Sequence, residues 1–290
     1  MQLEGLHHLT AVSADARGNY RYYTQTLGMR LVKRTVNQDD VAAYHLFYAD
    51  AQATPGSDLT FFEWNLPREK RGNHSIVRTM LRVAREDSLD WWAARLPQAR
   101  RTPNGLEFED PEGQRLGIIS AEGGGEPWEG SPVPAEHQIL GLASVTLSVP
   151  RAEPTARVLT EVMGMTHLGG HAYTMKERPE VHLLVEPDLP AARQGAGAVH
   201  HVAFRTPNDE QYEDWIRRLE YYGVPNSGAV DRFYFRSLYF REPNGILFEI
   251  ATDGPGFTAD EPLQSLGEKL ALPPFLEGRR AQIEAGLKPL

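Results

Sequence analysis

Five side chains in this 290-residue chain have types and spacing that suit a bound metal. Two histidine pairs stand in apolar runs that read as strands. His7 and His8 lie in LHHLTAV, residues 6–12, and His200 and His201 in GAVHHVAFRT, residues 197–206. A third strand-like run, GILFEIAT at 245–252, carries a lone carboxylate, Glu249, between Phe248 and Ile250. Side chains alternate faces along a strand, so the two members of each pair are expected to point opposite ways. Two imidazoles and one carboxylate from three strands suit a divalent metal with open coordination positions. Glu249 is costly to bury unless it is paired or metal-bound, and only an edge strand would turn it to water. With no cysteine in the chain, thiolate ligands, disulfides and a cysteine nucleophile are excluded.

Something must bring residues so distant in sequence together, and the chain reads as four copies of one βαβββ unit, near 6–65, 74–120, 139–186 and 198–251. The first has a strand at 6–14, a helix over Ala16–Leu27 with Asp15 as N-cap and Gly28 after its end, and strands at 29–36, 43–49 and 59–64. The spacing from Thr10 to Gly28 recurs from Thr146 to Gly164, and the turn Asp110-Pro111-Glu112-Gly113 is echoed by Glu242-Pro243-Asn244-Gly245. Such repetition settles architecture more firmly than any single strand. The fold class is therefore α+β, with four βαβββ modules forming two half-barrel cups around clefts. Residues 1–125 hold one pair of modules in sequence and 139–252 the other, joined by the Gly/Pro-rich stretch 121–138; 253–290 is a tail, too short for a domain.

The other copies act as internal controls. Four residues after the hairpin glycine, the second unit has Gly117 where the fourth has Glu249, and the first strand of the third unit has no histidine. Units one and four hold the set, so they should pair to make the metal cup, leaving units two and three a metal-free cup that reads as a structural relic.

Composition narrows the partners. Thirty basic and 39 acidic residues give a net charge of −9, which offers no electrostatic reason to expect nucleic acid or an anionic membrane. The N-terminus has neither the basic nor the apolar region of a signal peptide, and no apolar run approaches the roughly 18 residues of a membrane span. A soluble cytoplasmic protein, working on a small molecule as a homo-oligomer, is the expectation; the tail would cross a cup mouth or a subunit contact.

LHHLTAV, LVKRTVNQDD followed by YHLFYAD, TPGSDLTFF, GAVHHVAF, REPNGILFEIATDGPGFT and SLGEKLALPPFLEGRR together cover nearly the whole chain. In these blocks the sequence resembles the vicinal-oxygen-chelate superfamily, which includes glyoxalases and extradiol dioxygenases, and within it the ring-cleaving hydroquinone dioxygenases. The resemblance implies Fe(II), or Mn(II), held by His8, His201 and Glu249, with dioxygen as co-substrate and a small aromatic diol as substrate. It also implies supporting or substrate-contacting roles for His7, Thr10, His200, Arg232 and Tyr239. Two other readings stand beside it: a glyoxalase-type isomerase or lyase with no redox change at the metal, and a metal-free binding protein of the bleomycin-resistance kind.

Glu63 is the residue that separates the first two readings. Glyoxalase I-type enzymes take a fourth protein ligand from the last strand of the partner unit. Counting from the turn proline, Phe61 is the equivalent of Glu249, and a longer turn would put Glu63 there.

Overall fold

The computed structural model describes residues 1–290. The first module comprises β1 (Gly5–Ser13), α1 (Ala16–Arg21), β2 (Arg30–Val36), β3 (Tyr44–Ala49) and β4 (Asp58–Glu63). The second has β5 (Ser75–Val83), α2 (Ser88–Arg95), β6 (Arg100–Thr102), β7 (Gly105–Glu109) and β8 (Arg115–Ser120). The third has β9 (Ile139–Val149), α3 (Ala152–Arg157), β10 (Thr166–Gly169), β11 (Ala172–Thr174) and β12 (Glu180–Val185). The fourth has β13 (Val199–Thr206), α4 (Asp209–Tyr221), β14 (Val230–Asp231), β15 (Phe235–Arg241) and β16 (Leu247–Pro255).

The strands form two eight-stranded sheets, in the orders β14-β15-β16-β13-β1-β4-β3-β2 and β10-β11-β12-β9-β5-β8-β7-β6. Module one thus joins module four and module two joins module three, so each sheet draws on both halves of the chain. The expected α+β architecture of two cups is observed, and so is the pairing inferred from where the histidines lie. No helix is long and apolar enough to cross a membrane.

At the centre of each sheet two first strands meet antiparallel, and here the pattern departs from simple alternation. In the β1–β13 register Leu6 faces Phe204 but His8 faces Ala203, and Thr10 faces His201 but Ala11 faces Val199. His7 and His200 are therefore each the extra residue of a β-bulge, one on each strand. Bulges re-aim side chains and increase local twist. The second sheet repeats the device at Val77 and Ala143.

The helix expected over 16–27 ends its α-helical part at Arg21 and continues as a π-turn, Tyr22–Thr26; the third module does the same at Val158–Val162. A threonine explains both. Thr24 Oγ1 donates to Tyr20 O at 2.6 Å and Thr160 Oγ1 to Ala156 O at 2.8 Å. The hydroxyl occupies the carbonyl four residues back, and the amides of Leu27 and Met163 bond five back instead. In the fourth module, α4 is capped by Asn208, whose side chain accepts from Gln211 N, and buries Tyr212, Trp215 and Leu219 from one face. Before β15 the chain turns at Phe233, which has a φ of 71°, and strand pairing there is confined to Val230–Asp231.

The stretch 121–138 has no long regular element but is tied down. Glu126 O accepts from Ala51 N, Ser131 Oγ donates to Gly28 O, and Val133 is buried in the core. The tail packs on the free edge of β2: Arg34 O accepts from Ala271 N, and Leu272, Leu276 and Ile283 cluster with Val36. Lys33, with no exposed surface, reaches Asp260 at 2.7 Å and also pairs with Glu261. Phe257 and Leu266 of the tail join Val32, Phe47, Ala203, Phe235 and Ala251 in an apolar cluster inside the first cup.

Candidate metal centre

Because β13 lies between β1 and β16, a residue near the middle of each can reach a common point. His8 Nε2 lies 3.4 Å from His201 Nε2 and 3.3 Å from Glu249 Oε2, and His201 Nε2 lies 3.0 Å from that same oxygen. The three side chains form the chain's one cluster of metal-type donors, all buried. Ser237 Oγ donates to Glu249 Oε1 at 2.5 Å, whereas Oε2 is buried with no hydrogen-bond donor. An orphaned carboxylate oxygen costs free energy unless a cation or donor meets it. Its setting, against two imidazole nitrogens, fits a divalent transition metal held on one face.

The paired histidines do not point opposite ways. His7 Nδ1 lies 2.8 Å from His8 Nδ1, and His200 Nδ1 2.7 Å from His201 Nδ1. The bulges turn each leading ring back onto its neighbour. His7 Nε2 donates to Thr252 O at 3.1 Å, so its Nδ1 must accept and His8 Nδ1 must donate. That leaves the lone pair of His8 Nε2 for a metal, the arrangement in which a second group fixes a ligand's tautomer. Burial lowers His7 and His200 to about 3 and also lowers His201, so these rings are neutral near pH 7. Burial alone would raise the Glu249 carboxyl, but His8 and His201 together hold it well below the usual carboxylate range. Neutral imidazole beside ionised carboxylate is the state a metal requires.

Thr10, Arg232 and Tyr239 line the cavity beside His8 and His201. Arg232 Nε donates to Tyr239 Oη at 3.2 Å, and its Nη2 pairs with Asp39 at 3.1 Å across the mouth. His7 and His200 stand behind the cluster, off the cavity wall; His200 sits against Phe62 and Trp64. Three residues at or beside the cavity carry no signal in the sequence. Asp39 was an anonymous loop acid. His45, a single histidine in β3, carries no signal of its own; it stands between Phe47 and Phe62 and its Nε2 lies 3.0 Å from Thr60 Oγ1.

Thr60 is the third, and it corrects the count for a fourth ligand. Val202 pairs with Phe248 and Ala203 with Glu249; likewise Leu9 pairs with Leu59 and Thr10 with Thr60. Thr60, not Phe61, is the counterpart of Glu249, because the module-one turn is one residue shorter between its proline and this place. Phe61 packs in the core. Glu63 ends β4 in a separate surface cleft with Ala14 and Lys288 and belongs to no metal cluster. The Thr60 hydroxyl is also engaged, 2.8 Å from Thr10 Oγ1.

Residues 141–250 match the family model described as the Glyoxalase/Bleomycin resistance protein/Dioxygenase superfamily. Over all of both chains, the sequence is 45% identical to a Bacillus subtilis protein named "Putative ring-cleaving dioxygenase MhqA". The chain belongs to the ring-cleaving dioxygenase family. A further member, the chlorohydroquinone/hydroquinone 1,2-dioxygenase of Sphingobium indicum, is 30% identical over 97% of this chain and 95% of its own. A crystal structure from B. subtilis described as a "putative dioxygenase" superposes on this family member with a TM-score of 0.93 at 35% identity, covering 100% of this chain and 98% of that one. Glyoxalase I from Zea mays, at 14% identity and a TM-score of 0.60 over 88% of this chain and 93% of its own, shares the fold.

Proposed function

We propose that this dioxygenase is Fe(II)-dependent, with Mn(II) the alternative, and cleaves hydroquinone-type rings with His8, His201 and Glu249 as ligands. The observation that carries the proposal is Thr60. At the place of a fourth ligand it offers a hydroxyl already bonded to its neighbours, which leaves three protein donors and open positions for substrate and dioxygen. Bound there, iron supplies the electron transfer that dioxygen requires and lowers the pKa of a phenolic oxygen.

The protein's own groups divide the remaining work. A hydroquinone carries its oxygens on opposite sides of the ring, so only one reaches the metal. The other must be held about a ring width away, a task for which Tyr239 and Arg232, both on the cavity wall, are suited. Tyr239 accepts from Arg232, which leaves its own O–H free to donate. Burial and the nearby Glu249 push its pKa up, so it keeps that proton at neutral pH. Hydrogen bonds to a buried hydroxyl discriminate strongly against analogues that lack it. Thr10, Thr60 and His45 form a connected hydrogen-bond path that can hold a proton beside the open positions. The free space in this cup is about 50 Å³. A cavity that takes benzene is about 150 Å³, so substrate entry requires the Asp39–Arg232 bridge at the mouth to open.

The test is metal analysis of anaerobically purified protein, followed by oxygen uptake with hydroquinone and catechol. Faster uptake per iron with hydroquinone is expected. Faster turnover of catechol overturns the para-diol assignment. Isomerisation of a hemithioacetal without oxygen uptake would make the protein a glyoxalase-type enzyme, and neither bound metal nor turnover of any of these compounds would make it a binding protein.

A further inference from the structure

The second cup, between modules two and three, encloses a cavity of about 990 Å³. It is not a second metal site. The register places Arg78 and Ser144 where the first cup has its histidine ligands, and Gly117 and His182 where it has Glu249 and Thr60. A side chain begun at Gly117 would meet Met80 Sδ at 2.5 Å, so the thioether fills the space that a carboxylate ligand would need.

The other arginines on its wall each have a carboxylate within reach. Arg78 pairs with Glu107 at 2.9 Å. Arg205 pairs with Glu177 at 2.9 Å, and Arg178 lies 3.7 Å from Glu122. Arg82 has no such partner. Its residue is only 8% exposed, its Nη2 donates to the carbonyls of Gly124 and Leu140, and its Nη1 has no acceptor at all. Arg78 Nε, on the same wall, is likewise buried without an acceptor.

Glycines make room for this guanidinium. A Cβ at Gly123 would stand 2.6 Å from Arg82 Cζ, and one at Gly141 would stand 2.8 Å from Nη2. Burial lowers the Arg82 pKa, while Asp50 and Glu177 raise it from farther off. Those two carboxylates are committed elsewhere, Asp50 to the turn at Thr54 and Ser57 and Glu177 to Arg205. A buried guanidinium held only by carbonyls is an unfavourable arrangement that an anion would relieve. An arginine with no carboxylate within ion-pair distance selects an anion, and a planar fork of N–H donors selects a carboxylate. The hydroxyl-bearing residues Ser144 and Thr146 and the apolar Met80 and Leu142 supply the mixed lining that an organic body requires.

We propose that the second cup is a binding site for a small organic monocarboxylate, with Arg82 as its charge partner and Arg78 as a second donor.

The probe is benzoate, titrated calorimetrically into the metal-loaded protein, with benzamide as the uncharged isostere. One benzoate should bind per chain, and benzamide should bind at least about tenfold more weakly, a difference of about 1.4 kcal/mol. Arg82→Gln should weaken benzoate at least about tenfold and leave benzamide unchanged. Thr146→Phe, which fills the cavity and leaves Arg82 itself in place, should block both, and it keeps the test open if Arg82→Gln fails to fold. Glu249→Ala, which removes the acidic ligand of the other cup, should leave benzoate binding intact. No saturable binding up to about 10 mM, equal affinity for the two probes, or binding that survives Arg82→Gln and Thr146→Phe but is lost in Glu249→Ala overturns the proposal.

Discussion

His7 Nδ1 stands 2.8 Å from His8 Nδ1, and the far nitrogen of His7 is held by the backbone carbonyl of Thr252, so one hydrogen-bond chain runs from β16 to the imidazole of His8. With the proposed ligand set, His7 positions a ligand without being one. His8→Ala, His201→Ala and Glu249→Ala should each lose most bound metal. His7→Phe should keep the ligand set but bind metal about 10- to 100-fold more weakly. Metal content after dialysis against a graded chelator series measures this, and wild-type affinity in His7→Phe would remove the positioning role.

Thr60→Glu places a carboxylate where the register puts the counterpart of Glu249. The variant should retain metal or bind it more tightly. Oxygen uptake should fall by at least about 100-fold, because the fourth donor closes a position that dioxygen or substrate uses. Metal-replete protein with undiminished oxygen uptake would show that this position is not needed.

Arg232→Met breaks both the bond to Tyr239 and the bridge to Asp39. Loss of a donor that steadies developing charge should lower kcat about 10²-fold. Asp39→Ala removes only the bridge at the mouth and should change KM while kcat stays within about threefold. Steady-state oxygen-electrode kinetics on the two variants separates the roles. Equal effects on kcat would contradict the division.

Asp58 is 2% exposed, and its Oδ1 has no hydrogen-bond partner. Burial, helped by the negative charge of Asp50, pushes its pKa well above the ordinary carboxylate value. Above pH 3.8 the unfolded chain has released this proton while the folded chain still holds it, so the folded state binds more protons and stability falls as pH rises through the shifted pKa. Asp58→Asn removes that slope. Urea denaturation from pH 5 to pH 9 should give a smaller decline for the variant, by up to about 1.4 kcal/mol per pH unit over the affected window. Parallel curves for the two proteins would place a counter-charge beside Asp58.

Lys33→Ala strands Asp260 and Glu261 against the sheet. Removing one partner of a buried ion pair costs about 3–5 kcal/mol. Tyr234, which lines the metal cup and donates to Asp260 at 2.8 Å, loses its anchor in the same step. The variant should unfold at lower urea and be nicked first within 257–272, which limited proteolysis with mass spectrometry reads directly.

Much of this was legible in the sequence for particular reasons. Histidine pairs on the first strands of units one and four, and no histidine on the first strands of two and three, implied which modules pair before any strand register was known. That His8, His201 and Glu249 come together followed from the same asymmetry. What escaped was set by effects that leave no local pattern. A β-bulge is one extra residue against a partner strand, so nothing in LHHLTAV shows that His7 turns back onto His8. The π-turns arise from a single threonine hydroxyl, and a turn one residue shorter displaced the count from Thr60 to Phe61. His45 reads as an isolated polar residue until Thr60 and two phenylalanines are seen around it. Arg82 was hidden because its significance is the carboxylate it does not meet.

The arrangement of the first sheet also constrains synthesis. His8 and His201 are 193 positions apart, and β1 lies between β4 and β13. As the chain leaves the ribosome, module one can assemble early, but one edge of β1 then has no partner until module four emerges. At about 5–20 residues per second this wait lasts on the order of ten seconds or more. Throughout it, an apolar strand with free backbone donors and acceptors is available to any other nascent copy, the circumstance in which edge-to-edge aggregation begins. The proposed metal site is therefore completed only at the end of translation, and a message truncated in its last quarter yields an unprotected strand carrying two histidines.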